Sequence, residues 1–553
     1  MTAEASSPSA APAAAPAQVT APEEAPAMSW KRALPYFLAS LVLALSQGLG
    51  QGFVSSNIQQ IAGDLGVTTT QASWLMAAYM IPRASLPMLL IKIRTQFGLR
   101  RFAEIGVAIY VLVAFASVWI SDLRSAVIIQ FLSGAAAASL STLAFLYMLE
   151  PLSRVWKIRG GLPMALALIL SGSSLARVVS PALIGDGGLV GIHLTALGLA
   201  MLAATLVYLL PLQPLPRAKV IQTTDLVSFS LIAIGFGGLT VAFILGPLHY
   251  WTSVPWIGWL LAGSVLALGL AAVIELGRAA PLVDIRWLAS PAMLHLTATL
   301  LLFRLVLSEQ SSGAPRLFST LGVAPSAMTG LFAVIVLAGL LGGLACVAWV
   351  KAERIPLFHL AALLLIAAGA WMDSQSTVQT RPEQMLLSQA MIAFAGMLFL
   401  PPAMMIGLGR AMAKGPNYLL SFIVVFLSTQ SLGGVVGSGL FSTYVTHRQA
   451  AHYQLLKEQI VTTDPLVLNR IAALVTAKAG VITDTSLAKL QAVSDIAAEA
   501  VSQSYVQAYN DAFFLIFLVA AAAACLLCLH LLQIMLSKWL SARPDQTSTR
   551  VEP

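Results

Sequence analysis

The chain has 553 residues, of which 58% are hydrophobic and 10% charged, whereas a soluble domain has roughly 45–50% apolar and about 25% charged residues. This composition excludes a soluble globular protein, which could not bury so much apolar surface, and predicts an all-α integral membrane protein. The net charge of +8 is no evidence for nucleic acid, because membrane proteins concentrate Lys and Arg in cytoplasmic loops.

The first 28 residues are rich in Ala, Pro and Ser. They lack the basic start and the continuous apolar core of a signal peptide. We therefore expect 1–28 to form a disordered cytoplasmic tail, and we expect a second cytoplasmic tail at 538–553.

Apolar runs along the chain predict the membrane spans, since a spanning helix needs about 20 mostly apolar residues. Fourteen segments qualify: 34–56, 72–92, 102–120, 125–149, 161–183, 189–211, 226–246, 256–275, 291–311, 327–350, 357–373, 385–409, 417–441 and 510–537. With the N-terminus inside, most of the 31 Lys and Arg residues fall in cytoplasmic segments. The short outer loops then hold only Arg124, Arg316 and Arg381. This asymmetry predicts an even number of spans with both termini in the cytoplasm.

The long outer segment 442–509 precedes the last span. Apolar residues at three- and four-residue spacing predict helices over 446–460, 465–480 and 486–514, the third running into the final span. Either these helices form a packed cap, or they form a docking surface for a periplasmic partner, because loops of this length are usually functional.

Several local patterns resemble the fourteen-helix branch of the drug:proton antiporters, within the major facilitator superfamily. These are IAGDLGV and ASWLMAAYM around the start of span 2, FGLRR at 97–101, WIGWLL at 256–261, RAAPLVDIRWL at 278–288 and QAYNDAFF at 507–514. The resemblance covers about residues 34–537. It implies a major facilitator fold with an N-terminal six-helix half (29–212), two inserted linker helices (226–275) and a C-terminal six-helix half (291–537).

The chain departs from that family at its signature positions. The signature between spans 2 and 3 survives as Gly98, Arg100 and Arg101. In span 4, Gln130, Ser133 and Gly134 stand where the family has an Arg followed by Gln-Gly, so the family's coupling arginine is absent. The span 5 signature becomes ARVVSPALIG, which keeps Pro181 and Gly185.

Four ionisable residues lie deep inside predicted spans: Arg83, Arg177, Arg304 and Glu309. An ionisable group there costs at least a few kcal/mol, so each is a functional candidate. Glu309 is either the proton-coupling carboxyl or one member of a structural ion pair with Arg304 or Arg177. It is five residues beyond Arg304, so a cross-helix partner such as Arg177 or Arg83 is favoured.

Three arginines against one carboxylate predict a positive cavity, and Arg suits bidentate recognition of a carboxylate or phosphate. We therefore expect an anionic substrate such as an aromatic acid; alternatively, the arginines snorkel or pair with backbone. Gln47, Gln51, Asn57 and Gln130 are further cavity candidates, although many such residues only hydrogen-bond a neighbouring helix.

Other classes of protein lack support in the sequence. There is no Walker loop for ATP, no His/Cys cluster with metal spacing, no catalytic constellation and no nucleic-acid motif, so we expect neither an enzyme nor a cofactor. The leading hypothesis is proton-coupled efflux of small organic compounds across the bacterial inner membrane. Resemblance alone implies a membrane-fusion adaptor and an outer-membrane channel as partners. The alternatives are an organic-anion importer or exchanger, and a non-transporting receptor on the same scaffold.

Overall fold

The computed structural model describes residues 28–185, 188–213, 217–278, 281–414, 416–461 and 463–541. The predicted tails lie outside the described residues, apart from Met28 and 538–541. The described chain is helical except for loops and one isolated bridge between Gly185 and Gly188. This agrees with the predicted all-α class.

The N-terminal part contains nine α-helices. They are α1 (Trp30–Ser56), α2 (Ile58–Asp64), α3 (Thr69–Ser85), α4 (Pro87–Phe97), α5 (Leu99–Ala116), α6 (Leu123–Leu149), α7 (Arg154–Trp156), α8 (Leu162–Leu183) and α9 (Val190–Leu209). Helices α3 and α4 form one bent segment with an angle of 51° between them. Pro87 begins α4, and a proline cannot donate the backbone hydrogen bond that would continue α3 without interruption.

The middle and C-terminal parts contain eleven more. They are α10 (Thr223–Leu245), α11 (Pro255–Leu276), α12 (Ile285–Leu288), α13 (Pro291–Val306), α14 (Ala314–Thr320), α15 (Thr329–Trp349), α16 (Ile355–Asp373), α17 (Leu386–Lys414), α18 (Pro416–Gln459), α19 (Pro465–Lys478) and α20 (Thr485–Ser541). A π-helical turn, Glu309–Gly313, joins α13 to α14. The ninth predicted span, which we ended at 311, therefore continues as helix to Thr320.

Each predicted span coincides with a helix, but the count of fourteen is not confirmed. Within the described ranges, twelve helices are long and apolar enough to cross a membrane, or thirteen if the bent α3–α4 pair counts as one span. Helix α18, which contains the predicted span 417–441, is not among them.

Large apolar side chains cover the outside of the helical bundle. Leu112, Leu266, Leu341 and Leu526 are each more than half exposed, as expected of side chains that face lipid. Between helices the contacts use small residues instead. A Cβ on Gly48 of α1 would lie 2.6 Å from the Cα of Gly172 of α8, a backbone approach of the kind that small residues permit within membranes.

The two six-helix halves meet closely at one end of the molecule. There α8 packs against α15, and a Cβ on Gly343 would lie 2.9 Å from the Cβ of Ala167. Arg159 Nη2 also donates to the carbonyl of Ala348 at 3.3 Å. We call this end the closed face. At the opposite end, the open face, the halves separate around a cavity.

The inserted helices α10 and α11 are attached to the N-terminal half by a buried ionic cluster. Asp225 of α10, fully buried, accepts from Lys92 Nζ of α4 at 2.7 Å and from Arg278 Nη2 at 2.5 Å. Arg278 Nη1 also donates to Glu275 of α11 at 2.8 Å. Since each charge has an opposite partner, the cluster can be buried.

Helices α18 and α20 continue well beyond the open face. Helix α20 has 57 residues, about 85 Å at 1.5 Å per residue, against a hydrocarbon core of about 30 Å. The short helix α19 packs on it, with Lys478 Nζ 2.5 Å from Asp495 Oδ2. The three helices predicted in 442–509 are therefore the end of α18, α19 and the start of α20, and we call them the helical extension.

Candidate functional site

A cavity of about 760 Å³ lies between the two halves. Helices α1, α3 and α8 line it from the N-terminal half, and α13 to α15, α17 and α18 line it from the C-terminal half. Its wall reaches the segment 57–69, which contains α2, and the connection 321–328 between α14 and α15, so it opens at the open face. The volume is within the range of about 300–1,000 Å³ that small-molecule sites occupy.

The charged residues in the described cavity lining are all positive. Its charged residues are Arg83, Arg177, Arg304 and Arg316, and the described lining includes no Asp, Glu, Lys or His. Three of these arginines are the candidates found in the sequence. Arg316 corrects an expectation, because we assigned it to an outer loop and it instead lies on α14 in the cavity wall.

Arg83 and Arg304 form the deep pair. Arg83 Nη1 donates to Gln51 Oε1, and its guanidinium carbon lies 5.7 Å from the centre of the Tyr79 ring. Arg304 lies against Gly434 of α18, where a Cβ would be 2.6 Å from Arg304 Nη2. Its buried Nε has no hydrogen-bond partner in the described part of the chain. The glycine therefore leaves the space that the Arg304 guanidinium occupies.

Arg177 and Arg316 form the mouth pair. The Arg177 guanidinium carbon lies 5.0 Å from the centre of the Phe332 ring of α15. Arg316 Nη1 donates to Ser442 Oγ of α18 at 2.5 Å. No carboxylate pairs with either arginine among the described residues, so their contacts there leave both charges unneutralised.

The two pairs lie at different depths. Arg304 and Arg316 are twelve residues apart on one continuous helical segment, which corresponds to roughly 15–18 Å along the axis. Arg304 and Arg83 are close enough to repel each other, and the same holds for Arg177 and Arg316. Each pair therefore combines one arginine from each half.

Two of the predicted polar candidates line the cavity. Gln51 holds Arg83, as described, and Asn57 donates from Nδ2 to Ser180 Oγ of α8 at 2.6 Å. Both lie on α1 or directly after it, where the chain turns toward α2.

The other two polar candidates do not line the cavity. Gln47 is buried between helices, where Nε2 donates to the Ile169 carbonyl at 3.1 Å and Oε1 accepts from Ser141 Oγ at 3.2 Å. Gln130 is absent from the described cavity lining, and its buried Oε1 meets no donor from the residues that the structure describes. Gln47 thus joins α1, α6 and α8 rather than contacting a substrate.

Glu309 also lies outside the cavity lining, and the expected pairing with an arginine is wrong. It is fully buried at the start of the π-helical turn. Its Oε1 accepts from Gln389 Nε2 of α17 at 3.1 Å, and the same Nε2 donates to Asp373 Oδ2 of α16 at 2.7 Å. Glu309 therefore belongs to a group of two carboxyls and one amide, which we call the carboxyl pair site.

Sequence reasoning missed Asp373 and Gln389. Asp373 is the last residue of the predicted span 357–373, a position normally exposed at the membrane surface, but it is only 2% exposed. Gln389 carries no charge to mark it and is fully buried. In each case the only signal in the sequence was a polar residue close to one end of a predicted span.

The family-signature remnants have mainly structural positions. Gly98, with φ +89°, separates α4 from α5 in a conformation that favours glycine. Arg100 and Arg101 are exposed, and Arg100 pairs with Glu104 at 2.9 Å. Pro181, in the last turn of α8, lines the cavity, and Gly185 follows that helix. No group of three or more potential metal ligands occurs within the described part of the chain.

Comparison with known proteins gives information on the fold. No protein-family model and no curated protein matches the sequence. The human organic anion transporter MFSD10 matches in structure with a TM-score of 0.52 at 12% identity, over 89% of this chain and 99% of that chain. The POT family transporter PepTSo gives 0.49 at 14% identity over 91% and 99%. The xylose transporter XylE from E. coli gives 0.47 at 14% identity over 74% and 90%. The likeness to MFSD10 concerns the fold alone, and it agrees with the major facilitator fold predicted from the sequence.

Proposed function

We propose that this chain, which has the fold of the major facilitator transporters, is a secondary active transporter that exports small organic anions across the bacterial inner membrane, driven by protons. The observation that carries the proposal is the cavity wall with four arginines and no acidic residue among the described lining. The proposed substrate class depends on these arginines, because a likeness at 12% identity concerns the fold only.

The arginines favour an anion for an energetic reason. An unpaired charge deep in a bilayer costs at least a few kcal/mol, and here the partners of Arg83, Arg177 and Arg316 are neutral groups or rings. A carboxylate or sulfonate in the cavity would offset that cost and accept bidentate hydrogen bonds. A lipophilic cation would instead meet four like charges.

The positions of the arginines also suit alternating access. In such a mechanism the two halves rock around a central site. An anion held by either pair contacts one arginine from each half, so its binding offsets the repulsion within the pair and draws the halves together at the open face. With the N-terminus in the cytoplasm, as the Lys and Arg distribution predicts, the open face is the periplasmic one.

Export is favoured over import by the membrane potential. Moving one elementary charge across 100 mV corresponds to about 2.3 kcal/mol. With the cytoplasm negative, the potential drives an anion outward and opposes its entry. Protons moving inward would add their own gradient to that driving force, and the chain has no Walker loop through which ATP could do so.

We further propose that the helical extension binds a periplasmic adaptor protein, which would link the transporter to an outer-membrane channel. Support comes from apolar side chains at its end, where Leu466, Val481 and Leu490 are each at least 70% exposed. Replacing these three by Ser should lower export from intact cells and leave transport in liposomes unchanged. Equal activity in cells would contradict the docking role.

Transport can be tested with purified protein in liposomes. Benzenesulfonate is a suitable probe because it stays charged and does not carry protons through the lipid. We expect protein-dependent exchange of labelled benzenesulfonate, little exchange of tetraphenylphosphonium, and at least a tenfold loss in Arg304→Gln and Arg177→Gln. Arg124→Gln, exposed outside the cavity, serves as the matched control and should exchange normally.

The same preparation discriminates the alternatives. Exchange of the cation alone would overturn the anion proposal. Binding of benzenesulfonate without exchange would indicate a receptor. Net uptake into right-side-out vesicles, opposite to the potential, would indicate an importer.

A further inference from the structure

The carboxyl pair site lies behind the cavity wall, near the open face of the C-terminal half. Glu309 and Asp373 are within hydrogen-bonding reach of each other. Both are buried, as are Gln389 and Ser388 of α17. Ser388 Oγ donates to Asp373 Oδ1, and Gln389 Nε2 donates to both carboxyls.

The donors among the described residues do not reach every acceptor of this site. The described donors are the Ser388 hydroxyl and the Gln389 amide, and their hydrogens are already used. Glu309 Oε2 and Gln389 Oε1 are buried, and no donor from the described residues reaches them. A buried acceptor without a donor costs free energy comparable to a lost hydrogen bond, and a hydrogen carried by one of the two carboxyls would remove that cost at Glu309 Oε2.

We infer that Glu309 and Asp373 form a proton-binding site that holds one proton between the two carboxyls. A protonated carboxyl supplies a donor for Glu309 Oε2, and a proton shared by two carboxyls removes the repulsion between two like charges in a buried site. Neither carboxyl forms an ion pair with an Arg, Lys or His among the described residues, so no cation there offsets the repulsion between them.

The surroundings offer a route for the proton from the open face. Asp373 ends α16, and the polar loop 374–381 follows it directly. Asn510 of α20 donates from Nδ2 to the Ser376 carbonyl at 2.8 Å, and its buried Oδ1 accepts from none of the described residues. The titratable neighbours of Asn510 on α20 face other groups: Tyr509 is buried near Arg316, and Asp511 pairs with Arg448 and His452.

The π-helical turn connects the carboxyl pair site to the cavity. Glu309 begins this turn, and the next three residues, Gln310, Ser311 and Ser312, line the cavity. Gln310 Nε2 donates to the Gln389 carbonyl at 3.2 Å, and Ser312 Oγ donates to Ser438 of α18 at 2.7 Å. A π-turn is a helix irregularity that is frequent at functional sites. Loss or gain of the proton at Glu309 therefore acts directly on the cavity wall.

The role of this proton in coupling rests on the proposed function, but its presence does not. Infrared difference spectra of purified protein, recorded between neutral and alkaline pH, report the C=O stretch of a protonated carboxyl. We expect this band in the wild type and its loss in Glu309→Gln and Asp373→Asn. Glu353→Gln, exposed near the closed face, is the control and should keep the band. Gln389→Met retains both carboxyls and should shift the band's frequency.

Transport then tests coupling separately. Both carboxyl variants should keep benzenesulfonate exchange within about twofold and lose proton-driven accumulation by at least tenfold. A band unchanged in the carboxyl variants would overturn the proton site, and proton-driven accumulation unchanged in them would overturn its coupling role. If the wild type exchanges no anion, the proposed function fails, while the infrared result still decides whether the pair holds a proton.

Discussion

The guanidinium carbon of Arg177 lies 5.0 Å from the centre of the Phe332 ring, and the two residues belong to opposite halves of the molecule. Arg177 is on α8 and Phe332 on α15, both in the cavity wall. A cation over an aromatic face is attracted by the ring quadrupole. The contact therefore holds a charge of the mouth pair in place without neutralising it, which leaves the charge available for an anion.

Replacing Phe332 by Leu should weaken anion binding without abolishing it. The substitution keeps an apolar side chain but removes the ring, and cation–π contacts contribute about 0.5–2 kcal/mol. We expect the KM for benzenesulfonate exchange to rise by a factor of about 2–10. Phe358→Leu, part of the apolar packing near the closed face, is the control, and an equal rise there would show that the effect is not specific to Arg177.

Gly434→Ala should lower anion affinity at the deep pair. The new Cβ would lie 2.6 Å from Arg304 Nη2, so the flexible guanidinium must move while the helices stay in place. We expect a rise of at least threefold in the dissociation constant for benzenesulfonate, with an unchanged melting temperature. The matched control is Gly409→Ala on α17, where a Cβ meets nothing within 4 Å. Unchanged affinity in Gly434→Ala would contradict the assigned position of Arg304.

Gly48→Ala should destabilise the N-terminal half. Here the Cβ would meet the Gly172 backbone at 2.6 Å, and a backbone cannot move aside as a side chain can. Overpacking of this kind costs about 1–3 kcal/mol. Thermal unfolding in detergent should show a lower melting temperature than in Gly198→Ala, where a Cβ meets nothing within 4 Å. Equal melting temperatures would argue against close packing of α1 on α8.

Asp225→Asn should loosen the attachment of the inserted helices. The change leaves Arg278 and Lys92 beside a neutral side chain in a largely buried cluster. Breaking a buried pair by removing one partner costs about 3–5 kcal/mol, whereas the exposed pair of Arg100 and Glu104 should contribute less than about 1 kcal/mol. Limited proteolysis should cut Asp225→Asn faster than the wild type, and Glu104→Gln should resist as the wild type does.

The sequence predicted the fold well, because apolar runs determine where helices cross a membrane. Arg83, Arg177 and Arg304 were also detectable, since a charge inside such a run is conspicuous. Arg316 was not, because the polar residues of the π-helical turn end the apolar run before it. That turn continues the helix and carries Arg316 into the cavity wall.

The partners of Glu309 could not be predicted from the sequence, for a different reason. Gln389 is 80 residues away along the chain, and contacts between helices depend on how they pack, which hydropathy does not report. An arginine partner was the simplest electrostatic expectation for a buried carboxylate. The structure instead places an amide and a second carboxyl beside Glu309, an arrangement in which we propose that a proton takes the place of a cation.

The most direct test of the account is equilibrium binding of benzenesulfonate to the purified protein, measured by calorimetry for the wild type and for Arg83→Gln, Arg177→Gln, Arg304→Gln and Arg316→Gln. The account predicts saturable binding that weakens at least tenfold in each variant and is unaffected in Arg124→Gln. Binding that persists when all four arginines are replaced, or a preference for tetraphenylphosphonium over benzenesulfonate, would contradict an anion site in this cavity.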